Sequence, residues 1–267
     1  MVIKIDKKEK ISMLKKIIKK IDYLQKIFKT TKFDKIIEQI LYVPNVPVSN
    51  VPVLNVSIFP QVCGICGKID RNALCKKCEL QLRKLDEFRI ITKNDEELEN
   101  KFFDEVMYEF KYEGLIRKLI LDYKFNEKSY LYVTFVKFLL KNKKLFENIK
   151  KYDTIIPVPI SYKRYKERGY NQSLLIAKEI AVNTDLELLN NCLIKTKNII
   201  EQSKLNKEDR AKNISGVYIL QKKELIENRK ILLVDDIYTT GSTVNECSRM
   251  LRYGNPKKIG ILILAKD

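Results

Sequence analysis

The chain has 267 residues, 45% apolar and 32% charged, enough for one sizeable core plus a small module. Histidine and tryptophan are absent, which excludes Ser-His-Asp and Cys-His hydrolase arrangements and any histidine-ligated metal. A net charge of +18, from 52 Lys+Arg against 34 Asp+Glu, favours polyanions in general and does not separate a phosphorylated small molecule from nucleic acid; part of it is read as base bias in a Lys-, Ile- and Asn-rich chain. No apolar run reaches the ~18 residues that span a bilayer. The start mixes charges into its apolar residues, unlike a signal peptide. The expectation is a cytoplasmic protein with no membrane span.

Residues 1–40 carry twelve lysines against five acids, with Leu14, Ile17, Ile18, Ile21, Leu24 and Phe28 at helical spacing. This predicts a basic amphipathic helix that packs on its own domain or a partner in preference to a membrane, since aromatic anchors are few. Residues 41–60 hold four of the seven prolines, and their alternating Val and Pro predict an extended linker. Cys63 and Cys66, then Cys75 and Cys78, form two Cys-x2-Cys pairs. Disulfides or unrelated cysteines are the alternatives, but paired spacing in a reducing cytoplasm favours a structural Zn2+ held by the four thiolates. So small a knuckle is expected to fold apart from the main sheet, its folding driven by the metal. Cys192 and Cys247 stand alone and read as small buried residues.

Leu115, Leu119, Ile120 and Tyr123 line one helical face. From about residue 152 the pattern alternates between strand and helix. It runs through a strand Thr154–Ile160, a basic loop Lys163–Tyr170, a helix Gln172–Val182 and a strand near Leu186–Lys195. A polar segment 197–213, a strand Ile231–Val234, a helix 242–253 and a strand Lys258–Leu264 complete it. Strands joined by crossovers predict a parallel α/β sheet flanked by helices.

The most informative stretch is Ile231-Leu-Leu-Val-Asp235-Asp236-Ile-Tyr-Thr239-Thr240-Gly241-Ser242-Thr243. A buried strand delivers two carboxylates, then hydroxyls around one glycine, then a helix start. Unpaired N–H groups at a helix start favour an anion, and open α/β sheets bind ligands at the carboxyl ends of their strands. Asp235 and Asp236 would repel a phosphate but accept hydrogen bonds from sugar hydroxyls. Together the two halves suit a sugar phosphate. A Walker-B strand also ends in acids, but no Walker-A loop occurs in the chain.

This run resembles the phosphoribosyl pyrophosphate (PRPP) motif of type I phosphoribosyltransferases. Residues 58–267 as an ordered set resemble the ComF family. They comprise the cysteine knuckle, Phe110-Lys-Tyr112-Glu-Gly114 with Arg117, Pro157-Val-Pro159, Arg168-Gly-Tyr-Asn171-Gln172, then Gln202, Leu205, Arg210, Asn213 and Gly216, and the PRPP motif. Ser161 departs from the bulky or His residue common there. Three parts are expected. Residues 1–57, outside the resemblance, read as a basic helix and linker; the resemblance implies a zinc-finger-like module at 58–85 and a type I phosphoribosyltransferase-like domain at 86–267.

It further implies PRPP binding with Mg2+ and a link to DNA uptake in competence for transformation. Asp235 and Asp236 would hold the ribose hydroxyls, directly or through Mg2+, as the catalytic pair. Thr239, Thr240, Gly241, Ser242 and Thr243 would hold the 5-phosphate. Arg164 and Arg168 are candidates for pyrophosphate or else solvated surface, and 197–212 is a lid or a plain connection. The chain starts Met-Val and shows no glutaminase domain, so glutamine-dependent chemistry is not expected. The alternative on the same fold is a non-catalytic factor that binds single-stranded DNA through tyrosines interleaved with the basic loop. A further alternative is an adaptor for DNA-uptake helicase components.

Overall fold

The computed structural model describes residues 62–70, 72–196 and 217–267. The amino-terminal helix and linker, the lid segment and the Gln202–Gly216 pattern lie outside the described residues. In chain order the elements are α1 (Lys76–Arg83), β1 (Asp86–Thr92), β2 (Glu105–Lys111), α2 (Gly114–Phe125), α3 (Leu131–Leu139), α4 (Lys143–Ile149) and β3 (Thr154–Pro157). There follow α5 (Tyr162–Arg168), α6 (Gln172–Val182), β4 (Glu187–Leu188), β5 (Leu193–Lys195), β6 (Tyr218–Leu220), β7 (Lys230–Tyr238), α7 (Ser242–Arg252) and β8 (Lys258–Lys266).

Six strands form one sheet in the order β1-β2-β8-β7-β3-β4, and β5 pairs with β6 in a separate ribbon. Within the six-stranded sheet β1 runs antiparallel to β2, and β2, β8, β7, β3 and β4 are mutually parallel; the ribbon is antiparallel. The sheet is apolar on both faces, as crossover helices require. Alternate residues feed two cores. Leu232, Val234, Leu262 and Leu264 join the layer of α2, α3 and α6. Ile231, Leu233, Ile259, Ile261 and Ile263 join the layer of α7 and the ribbon.

From β3 the chain crosses to β4 on one side, and from β7 to β8 on the other. The carboxyl ends of β3 and β7 therefore flank a topological switch point, where a crevice opens. Pairing of β3 with β7 stops at Pro157↔Val234, while β7 stays paired with β8 as far as Tyr238↔Lys266. The carboxylate pair thus lies within β7, beside the gap left where β3 ends, and the strand is longer than the apolar run that announces it.

The elements differ from the sequence reading at several places. The basic segment is the helix α5, with Ser161 as its N-cap accepting from Arg164 N at 3.3 Å. None of its residues is buried, so no apolar stripe marks it. The strand near Leu186–Lys195 is two short strands in different sheets. β1, β2 and β6 add to the expected strands, and β2 buries five consecutive residues, Glu109 among them, so it shows no period-2 alternation.

The knuckle does not hold a core of its own. Cys63, Leu74, Cys75, Cys78 and Leu82 belong to one buried cluster with Ile116, Ile120, Leu131 and Phe135. The eight-residue α1 is too short to cover its own apolar side chains, so it rests on α2 and α3. Gly64 allows the approach: a Cβ there would lie 2.3 Å from Thr134 Oγ1. Thr134 Oγ1 in turn donates to Ala73 O at 2.9 Å.

Candidate functional site: an acid–hydroxyl cleft and a four-cysteine cluster

Adjacent residues of a strand face opposite sides of a sheet, and this divides the carboxylates of β7. Asp235 follows the parity of the α7 face and Asp236 that of the α2–α6 face. Asp236 is 7% exposed, and its Oδ1 lies 2.8 Å from Lys124 Nζ at the end of α2. Asp235 Oδ1 accepts from Ser173 Oγ at 2.9 Å and from Asp236 N at 2.9 Å. Burial, then the neighbouring Asp236 carboxylate, pushes the Asp235 carboxyl up to about 7, against the pull of Lys124 and these two donors.

Beyond the carboxylates the backbone turns at Gly241, φ 69°, before entering α7. That conformation suits glycine, and a Cβ would also meet the Tyr238 ring at 2.4 Å. Thr240 Oγ1 and Ser242 Oγ are 2.8 Å apart, and Ser242 N donates to Thr240 Oγ1 at 3.3 Å. The first turn of α7 offers N–H groups without intrahelical acceptors. Asp235, Thr239, Thr240, Gly241, Ser242 and Thr243 line a single small cleft together with Ile237 and Val244. One cleft thus has a carboxylate at one end and an anion cradle at the other.

The two arginines lie on α5, outside the residues that line this cleft. Arg168 Nη1 donates to Gln172 Oε1 at 3.1 Å, and its guanidinium lies 4.9 Å from the centre of the Phe125 ring. Arg164 lies close enough to Lys195 to help depress its ammonium below the usual range, burial being the larger cause. Asp235 acts on Lys195 in the opposite sense, so β5 brings a cation into the field of the carboxylates. Three contributors lie outside the sequence motif: Lys124, Ser173 and Lys195. Nothing local marks Lys124 or Lys195, whereas Ser173 follows the Asn171-Gln172 pair. Asn171 fixes the start of α6, accepting from Ser173 N at 3.1 Å and donating to Val158 O at 3.0 Å.

The second cluster is the cysteine quartet. One sulfur each from Cys63, Cys66, Cys75 and Cys78 lies within 4.8 Å of the others, with Cys66 Sγ and Cys75 Sγ 3.8 Å apart. That is far beyond the ~2.05 Å of a disulfide and close to the sulfur–sulfur edge of a tetrahedron with Zn–S near 2.3 Å. The donor set therefore fits a metal ion such as zinc. Burial works against ionisation of Cys63, but N–H groups of Cys75, Cys66 and Ile65 bring its thiol down to about 6. Cys192 and Cys247 are buried, as their isolation suggests.

Comparison with known proteins gives the following. A phosphoribosyl transferase domain model matches residues 176–267. Competence protein F of Haemophilus influenzae is 33% identical over 152 residues, 55% of this chain and 66% of that protein. Competence protein ComFC of Bacillus subtilis is 28% identical over 198 residues, 73% of this chain and 72% of that protein. DNA utilization protein YhgH of Escherichia coli O157:H7 is 30% identical over 99 residues, 37% of this chain and 43% of that protein. The chain therefore spans just under two thirds of the Haemophilus relative and less than half of the Escherichia one.

Proposed function

The chain belongs to the ComF family, and from that premise we propose that its cleft binds PRPP with Mg2+ in a role connected with DNA uptake. The observation that carries this is the single cleft lined by Asp235 and by Thr239–Thr243 at the switch point of the sheet. A cradle of hydroxyls and helix N–H groups suits the 5-phosphate, and carboxylates suit the ribose hydroxyls. The relatives named for competence and DNA utilization support the biological setting. Among the described residues no helix is long and apolar enough to cross a membrane.

In turnover, a nucleophilic acceptor forms a bond to C1 of the ribose as the C1–O bond to pyrophosphate breaks, its electron pair leaving with the pyrophosphate. Positive charge builds on the ribose ring meanwhile. The chain contributes positioning and electrostatics: Thr239–Thr243 anchor the phosphate, and the carboxylates orient the ring and face its growing charge. Arg164 and Arg168 of α5 are the cations this reading assigns to the leaving group. Carboxylate oxygens fit Mg2+, which takes one or two such ligands alongside substrate phosphates; bound with PRPP, it would neutralise charge on the departing pyrophosphate. The test is calorimetry of PRPP with Mg2+. The wild type should bind, and Asp235→Asn with Asp236→Asn should bind about a hundredfold more weakly, with its thermal unfolding still cooperative. Absence of binding by the wild type removes the reading.

A second reading has its own observation. Helix α5 exposes Tyr162 and Tyr165, 70% and 49%, beside Lys163 and Lys166, with Lys166 Nζ 4.8 Å from the centre of the Tyr162 ring. Aromatic faces next to cations suit single-stranded DNA. Tyr170 does not belong to this surface: it is buried, and its hydroxyl donates to Tyr123 O. Binding that falls steeply with salt and weakens in Tyr162→Ala with Tyr165→Ala would support this reading. Binding by the wild type but not by this variant only in the presence of a helicase component would support the adaptor instead.

A further inference from the structure

Each carboxylate of β7 commits one oxygen to the protein and leaves the other free. Asp235 Oδ1 takes two donors, and Asp236 Oδ1 takes the Lys124 ammonium. Among the described residues neither Oδ2 has a protein partner, and neither is a sealed orphan: the buried unpartnered side-chain atoms are Gln172 Nε2 and Ser248 Oγ. Two accessible acceptors on neighbouring residues are what a vicinal diol requires. What fixes the second one is Lys124.

That ammonium comes from a distant helix, and it is well placed. The side chains of Lys124 and Asp236 are 17% and 9% exposed. Tyr123, the preceding residue, donates its hydroxyl to Gln172 O at 2.8 Å and accepts from the Tyr170 hydroxyl through its carbonyl. The end of α2 is thereby tied to the start of α6, which also supplies Ser173 to Asp235. A buried ion pair contributes little net stability once its desolvation is counted, so stability alone is a weak reason for a lysine here.

We propose that Lys124 is a positioning residue of the sugar subsite, pinning one oxygen of Asp236 so that the other meets a ribose hydroxyl. This rests on the PRPP reading and deepens it, assigning to α2 a share in recognising the sugar as distinct from its phosphate. The ammonium need not touch the ligand; it acts through the carboxylate.

The experiment uses the full chain and two probes without divalent metal: ribose 5-phosphate, which needs both ends of the cleft, and inorganic phosphate, which needs only the cradle. Lys124→Met should weaken ribose 5-phosphate about tenfold to a hundredfold, the range for a hydrogen bond to a charged group. Inorganic phosphate, followed by the amide resonances of Gly241 to Thr243, should change by less than about twofold. Because Lys124→Met leaves a buried carboxylate unpaired, Asp236→Asn and the double variant K124M/D236N complete a cycle; the double variant should bind ribose 5-phosphate no worse than Asp236→Asn. If Lys124→Met does not fold, that last comparison decides. Unchanged ribose 5-phosphate affinity in Lys124→Met overturns the proposal, as does an equal loss of both probes or a further loss in the double variant. A wild type that binds PRPP with Mg2+ but not metal-free ribose 5-phosphate overturns this inference and leaves the PRPP reading standing. A wild type that binds neither removes both.

Discussion

In the knuckle, four sulfurs converge within 4.8 Å of one another and surround whatever they hold. In the cleft, Asp235 stands beside an open hydroxyl cradle, and it and the adjacent Asp236 each commit one oxygen to a protein partner. Four thiolates would fill the coordination sphere of a tetrahedral ion and leave no position for chemistry; the second arrangement is left incomplete. Their assembly differs too. All four thiols come from a span of sixteen residues, Cys63–Cys78, whereas the cleft takes Lys124 from α2 and Ser173 from α6. Yet the regions are mechanically joined. Cys63, Cys75 and Cys78 share a buried cluster with Tyr123, and Tyr123 is bonded to Gln172, beside Ser173. A closed structural site thus underlies the helices that finish an open one.

The strongest way to test that division is to remove one of the four thiols. Cys78→Ser should abolish an expected one zinc per chain and cost at least about 4 kcal/mol, on the order of 10 °C in Tm. Because the core is shared, PRPP affinity should fall as well. Metal analysis, thermal unfolding and PRPP calorimetry on one preparation check this. Full PRPP affinity in a zinc-free protein would separate the two regions.

Breaking the cleft alone should do the reverse. Asp235→Asn with Asp236→Asn should lower PRPP affinity by about a hundredfold, from hydrogen bonds to charged groups worth about 1.5–3 kcal/mol each, while zinc content is unchanged. A loss of zinc in that variant would show the coupling running both ways.

A third, smaller effect lies at the cradle. Gly241→Ala places a Cβ against the Tyr238 ring at a positive φ of 69°. A non-glycine residue in such a conformation costs about 1–3 kcal/mol. Denaturant unfolding should show that loss, and inorganic phosphate binding should weaken with it; an unperturbed variant would mean that the turn relaxes freely.

A graded effect concerns pH. Asp235 has a folded pKa of about 7, above its ordinary value, so the native state binds the proton more tightly than the unfolded chain. Its contribution to stability is complete below about pH 4 and is lost as pH rises through 7. Ligand affinity should run the other way, rising over the same interval as the carboxylate becomes a full acceptor. Glu109 of β2 shares the stability trend, burial raising its carboxyl to about 8. Asp235→Asn should therefore flatten the stability slope below pH 7 while leaving part of it, and abolish the rise in affinity. Unfolding free energies from pH 4 to 8, measured beside ribose 5-phosphate titrations, check both signs.

The parts of this protein legible in its sequence are those whose chemistry is set by short spacing. The four thiols are brought together by tight turns within sixteen residues. The carboxylates and hydroxyls of Asp235 to Thr243 are brought together by a strand running into a helix. Ile231–Val234 reads as a buried central strand because each residue is apolar, and Gln172–Val182 reads as a helix with its observed bounds. Where pattern is carried by burial on both faces, as in β2, or is absent, as in the fully unburied α5, the reading fails. Tertiary structure alone decided that Lys124 pairs with Asp236 and Ser173 with Asp235, that Tyr170 turns inward, and that the knuckle rests on α2 and α3. The physical reason is that such contacts join residues far apart in the chain. Their geometry follows from strand order and helix packing, which depend on how all the apolar faces are buried at once, and no local run of residues encodes that.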